Sequence, residues 1–188
     1  MKVRLLKFLN TPGMIFITLI FLTIQSTLFT NKALAFFQPD AVLFLVLWVA
    51  MKREFAEGGV LTLIFGYCVE LQSAAPSGLF LCNYMLIFLT THFLYKNFHI
   101  LNRRTMIMVG MTSGVFSRLN ILFILYLMNK ADNQWFHTLQ LIPPTALVHG
   151  IIVIPIFQFL NRFDNWTMKN PEAEHRYERD FYLDEEMI

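Results

Sequence analysis

Charge is scarce in this chain: only 15% of its 188 residues are Asp, Glu, Lys or Arg, against about 25% in an average soluble domain. With 56% hydrophobic residues, soluble globular and disordered compositions are both excluded. Eight glycines and seven prolines are too few for collagen-like or low-complexity sequence. Cysteine is nearly lacking. Cys68 and Cys82 stand inside apolar runs without a CxxC spacing, so neither a disulfide framework nor a zinc site is indicated, and buried structural thiols are expected. His92, His99, His137, His149 and His175 show no HxxxH or HExxH pattern. Phosphate loops, nucleophile elbows and paired-carboxylate motifs are equally missing, so no metal, cofactor or catalytic residue is expected. A net charge of +2 gives no basic surface for nucleic acid. What the chain does have is 20 Phe and 10 Met, the makings of an integral membrane protein.

Apolar segments at 14–30, 33–51, 59–75, 79–95, 105–128 and 139–160 each approach the roughly 20 residues that cross a bilayer core. They predict an all-α domain of six transmembrane helices over 1–160. The second is the weakest, because Pro39 and Asp40 leave only 41–51 uninterrupted. The sixth carries Pro143, Pro144 and Pro155 and is expected to bend. Lys and Arg sort with these segments. Twelve Lys and Arg fall in every second connection and at the two ends (Lys2, Arg4, Lys7; Lys52, Arg53; Lys96, Arg103, Arg104; Arg162, Lys169, Arg176, Arg179), whereas the other loops hold only Lys32 and Lys130. By the positive-inside rule both ends are cytoplasmic.

Residues 161–188 hold eight acidic and four basic side chains and read as a solvated cytoplasmic tail, within which Phe181 to Glu186 could form a docking segment. Before Pro12 and Gly13, the sequence MKVRLLKFLN mixes basic and apolar residues as a short interfacial helix does. The N-terminal region also resembles a signal peptide ending at Ala33-Leu34-Ala35. The uncleaved reading is preferred, because the apolar run reaches membrane-spanning length and Lys32 adjoins the site.

Two side chains within the spans are normally charged, Glu70 and Arg118. Each costs at least about 2.5–3.5 kcal/mol at mid-membrane if left alone. Counting about 1.5 Å per residue from the cytoplasmic ends puts both roughly 18–20 Å deep. Gly59, Thr62, Gly66, Glu70 and Ser73 share one side of the third helix, and Gly110, Ser113, Gly114 and Ser117 form a small-residue stripe on the fifth, with Arg118 at its edge. Helices 3 and 5 are therefore expected to pack closely and to pair Glu70 with Arg118, as a packing ion pair or, alternatively, as a substrate or proton site. Asp40 is expected to cap the second helix, and His149 to be a hydrogen-bonded packing residue.

From 38 to 88, the pieces PDAVLFLVLWVAMKR and GGVLTLIFGYCVELQSAAPSGLFLCNYMLIF resemble the bacterial rod shape-determining MreD family. The likeness lies in a Pro-Asp start to a short helix, a basic turn, and a Gly-containing helix that ends in an acidic residue before a small-residue loop. It covers about a quarter of the chain closely and the rest by hydropathy. Glu70 stands where that family more usually has Asp.

The resemblance implies an inner-membrane, non-catalytic scaffold of the cell-wall elongation machinery, surrounded by membrane lipid. Its partners would be MreC, the actin-like MreB, the glycosyltransferase RodA and a class B penicillin-binding protein. It also implies a fold similar to the substrate-binding components of energy-coupling-factor vitamin transporters, six helices around a pocket open to the outer face. Pro39, Asp40, Gly66, Glu70 and Gly78 are the motif positions and would shape the partner surface. The rival reading is a solute-binding transporter component, for which Asn83, Asn129, Asp132, Asn133, Gln134, Trp135 and His137 would line the outer pocket. The first span, MIFITLIFLTIQSTLFT, lacks the small-residue docking face that reading requires.

Overall fold

The computed structural model describes residues 2–28, 38–98, 103–130, 134–167 and 169. Lys32, the Ala33-Leu34-Ala35 triplet, Asp132, Asn133 and 170–188 lie outside them, as do the side chains of Gln134 and His137. All regular structure among the described residues is helical. The elements are α1 (Lys2–Leu28), α2 (Ala41–Lys52), α3 (Phe55–Gln72), α4 (Leu79–Phe98), α5 (Arg103–Leu127) and α6 (Gln134–Trp166). Among the described residues, four stretches are long and apolar enough to cross a membrane: Phe8–Leu28, Leu79–Lys96, Arg104–Leu127 and Thr138–Trp166.

The bundle is organised around α2. Every residue from Val42 to Met51 is buried, and the helix touches all five others. At 1.5 Å per residue its 12 residues span about 18 Å, well short of a hydrocarbon core of about 30 Å. This short helix works as a central post, and the space beyond its ends falls to polar side chains. The other helices turn large apolar side chains outward, among them Phe16, Tyr67, Phe93, Phe123 and Ile151, each more than half exposed. That outer surface suits lipid better than water.

Two boundaries differ from the sequence expectation. No separate interfacial helix precedes Pro12, because α1 runs through it without a break. The loss of one backbone donor is tolerated where the next turn is gripped: Met14 is fully buried, and a Cβ on Gly13 would meet the Phe163 ring at 2.5 Å. At the other end α6 continues past residue 160 to Trp166, through all three prolines, so the first residues assigned to the tail belong to the bundle.

The small-residue stripes are packing faces, but not for one another. The glycine face of α3 meets α4: a Cβ on Gly66 would lie 3.0 Å from the Leu81 Cα, and one on Gly58 would lie 2.7 Å from the Phe88 ring. The Gly110 and Gly114 face of α5 meets α6, where Cβ atoms would come within 2.9 Å of Val153 and 3.0 Å of His149. Gly78 makes the turn into α4 with φ +88°, a conformation that L side chains adopt only with strain.

These clearances set the sign of two substitutions. Gly66→Ala presses on backbone that cannot step aside and should destabilise by about 1–2 kcal/mol. Gly59→Ala meets nothing closer than 3.8 Å and should be neutral or gain up to about 1 kcal/mol from helix propensity. Thermal unfolding of the two variants in detergent checks the contrast.

Candidate functional site

Polar groups gather at both ends of α2. At its start, Asp40 caps the helix as expected, its Oδ1 accepting from the Leu43 N–H at 3.0 Å. The same carboxylate accepts the Tyr84 hydroxyl of α4 at 2.9 and 3.0 Å. Gln25 of α1 accepts the Ala41 N–H at 3.2 Å, and the Nε2 of His149 in α6 accepts the Asp40 N–H at 3.3 Å. A backbone N–H can only donate, so Nε2 carries no proton there. The proton of neutral His149 therefore sits on Nδ1 and is donated to the Thr145 carbonyl at 2.8 Å. The expected packing role of His149 is met, and α1, α2, α4 and α6 are tied at one point.

At the far end of α2, Arg53 extends from the C-cap position. Its Nη2 donates to Asp164 Oδ1 at 2.5 Å and to Asn10 Oδ1 at 3.0 Å. Asp164 also accepts the Asn10 amide at 3.0 Å and the Trp48 indole at 3.3 Å, and Asn10 Nδ2 reaches Thr167 Oγ1 at 2.6 Å. The Arg53 and Asp164 side chains are 4% and 5% exposed, so this is a buried, multiply satisfied ion pair. Glu57 extends it outward to Lys169 at 2.9 Å. Sequence reading missed the cluster because Arg53 counted only as a topological charge and Asp164 as part of the tail. The available signal was the aromatic pair Phe163 and Trp166, which flanks Asp164 beyond the end of the apolar run.

Glu70 and Arg118 do not form an ion pair among those of the described residues. Glu70 turns to α4, where Oε1 accepts the Leu81 N–H at 3.2 Å. It thereby satisfies one of the free donors in the first turn of that helix, a position that favours a carboxylate. Depth counting failed because it gives height but not rotation about the bundle. Arg118 instead lines a partly open cavity of about 200 Å³ beside Asp40, Gln25, Tyr84, Ser117 and His149. Ser117 accepts the Asn83 amide at 2.9 Å, linking α5 to α4.

Of the outer residues expected to line a pocket, the three with described side chains, Asn83, Asn129 and Trp135, do not line this cavity. Asn83 is buried behind Ser117, Asn129 ends α5 with φ 53°, and Trp135 packs on Tyr126 at 6.3 Å. Compared with known proteins, the chain matches no family model, no curated protein and no solved structure. Among the described residues no three His, Cys, Asp or Glu side chains gather as a metal site needs.

Proposed function

We propose that this chain is a non-catalytic, six-span scaffold of the cell-wall elongation machinery, of the MreD type, with both ends in the cytoplasm of a bacterial inner membrane. On this reading α2 and α3 form an inner hairpin, Pro39 and Asp40 set its start, and the bundle presents its surface to MreC and through it to the peptidoglycan synthases. The observation that carries the proposal is the use made of the Pro-Asp pair. Asp40 holds a helix buried from Val42 to Met51 to α4, and its backbone to α6, the architectural role a scaffold's motif would play. The alternation of basic segments supports the topology.

The cavity favours one rival, a solute-binding transporter component. Its volume of about 200 Å³ falls below the roughly 300–1,000 Å³ of pockets that enclose drug-sized molecules, too small for a vitamin, and the scaffold is preferred. Depletion in a rod-shaped host, paired with detergent co-purification, tests the choice. Rounded cells and capture of MreC are the expected outcome; normal rods with no capture would overturn it.

A further inference from the structure

We propose that the cavity above the start of α2 is a binding site for a small zwitterion, one that carries a phosphate or carboxylate anion and an ammonium group. The inference does not rest on the scaffold reading.

The site follows from the length of α2. A central helix of about 18 Å ends inside the bundle, and the longer helices around it enclose the space beyond Asp40. Two opposite charges, Asp40 and Arg118, line that space without forming an ion pair. Arg118 makes no hydrogen bond or ion pair with any described residue, although Asp40 borders the same cavity. Elsewhere in the bundle interior these charged groups each meet a partner: Arg53 and Asp164 one another, Glu70 the Leu81 N–H.

A guanidinium within an apolar bundle calls for an anion, and its forked donors match phosphate or carboxylate. An anion alone would also face the Asp40 carboxylate. That carboxylate has accepting capacity beyond Tyr84 and Leu43, and an ammonium on the same ligand would use it while offsetting the repulsion. Gln25 adds a neutral donor, since its Oε1 is engaged by the Ala41 N–H and its amide NH₂ is left to donate.

The volume selects size. About 200 Å³ is the room of six or seven waters at roughly 30 Å³ each, enough for an aminoethyl phosphate or a small amino acid. The first could arrive as the headgroup of an aminophospholipid or as the free compound.

Native mass spectrometry of the detergent-solubilised full chain, titrated with phosphatidylethanolamine or phosphatidylglycerol, tests the inference. Free O-phosphoethanolamine and glycine are added as competitors and as thermal-shift ligands. One phosphatidylethanolamine per chain is expected, retained about tenfold better than phosphatidylglycerol and displaced by free O-phosphoethanolamine. Arg118→Gln should lose this preference and Arg118→Lys should keep part of it. A thermal shift with a free zwitterion and no lipid retention would assign the site to the soluble source. Equal retention of both lipids by the unaltered chain, or no response to any of the four probes, would overturn the proposal; these arms hold even if Arg118→Gln does not fold.

Discussion

Replacing Arg53 with alanine is expected to destabilise the bundle by about 3–5 kcal/mol, the cost of removing one partner from a buried ion pair. Its guanidinium and the Asp164 carboxylate are almost wholly enclosed. Without Arg53, Asp164 keeps the Asn10 amide and the Trp48 indole but remains an unpaired buried anion. Asp164→Ala does comparable harm from the other side, leaving Arg53 with Asn10 and with Glu57 at 3.7 Å. The size of the effect decides the interpretation, since an exposed pair would cost only about 0–1 kcal/mol.

The Arg53→Met, Asp164→Leu double variant removes both charges at similar volume and should recover most of the loss, because apolar isosteres of buried pairs are often neutral or better. Unfolding in detergent can be followed by tryptophan fluorescence, Trp48 being itself bonded to Asp164. A double variant that loses as much as the two single variants together would show that the charges act independently.

How much of this could be read from the sequence differs from element to element. All six helices were foreshadowed by apolar runs, and the capping role of Asp40 was legible from a carboxylate preceding such a run. The importance of α2 was not. It read as the weakest segment, yet it is the core, because in a membrane protein hydropathy scores lipid-facing and protein-facing residues alike; its uniform apolarity and short length were the clues. Small-residue stripes on α3 and α5 marked close approach, but a stripe does not name its neighbour, and each packs against the next helix in sequence. Charge counting by segment showed where Arg53 and Asp164 stand along the chain. It could not show that Asn10, 154 residues from Asp164, completes their cluster.

Asp40→Ala is the second large effect, expected to cost about 2–4 kcal/mol. Loss of the cap accounts for about 1 kcal/mol. Loss of the acceptor for Tyr84, a side chain 2% exposed, adds the roughly 1–3 kcal/mol of a buried donor left without a partner. Asp40→Asn keeps an oxygen for the Leu43 N–H and the Tyr84 hydroxyl and gives up only charge assistance, so about 1 kcal/mol should be lost. Tyr84→Phe removes the donor while the carboxylate retains its cap and its cavity face, again about 1 kcal/mol.

The order of the three variants in detergent unfolding therefore reports what Asp40 does. If alanine and asparagine were equally damaging, the negative charge would matter and the tie to α4 would not. If Tyr84→Phe matched Asp40→Ala, the cap would contribute nothing. The expected order, alanine well beyond the other two, makes Asp40 the bolt that fixes the start of the central helix. If the proposed scaffold function holds, capture of MreC, measured at a temperature where the bundle stays folded, falls with alanine and survives with asparagine.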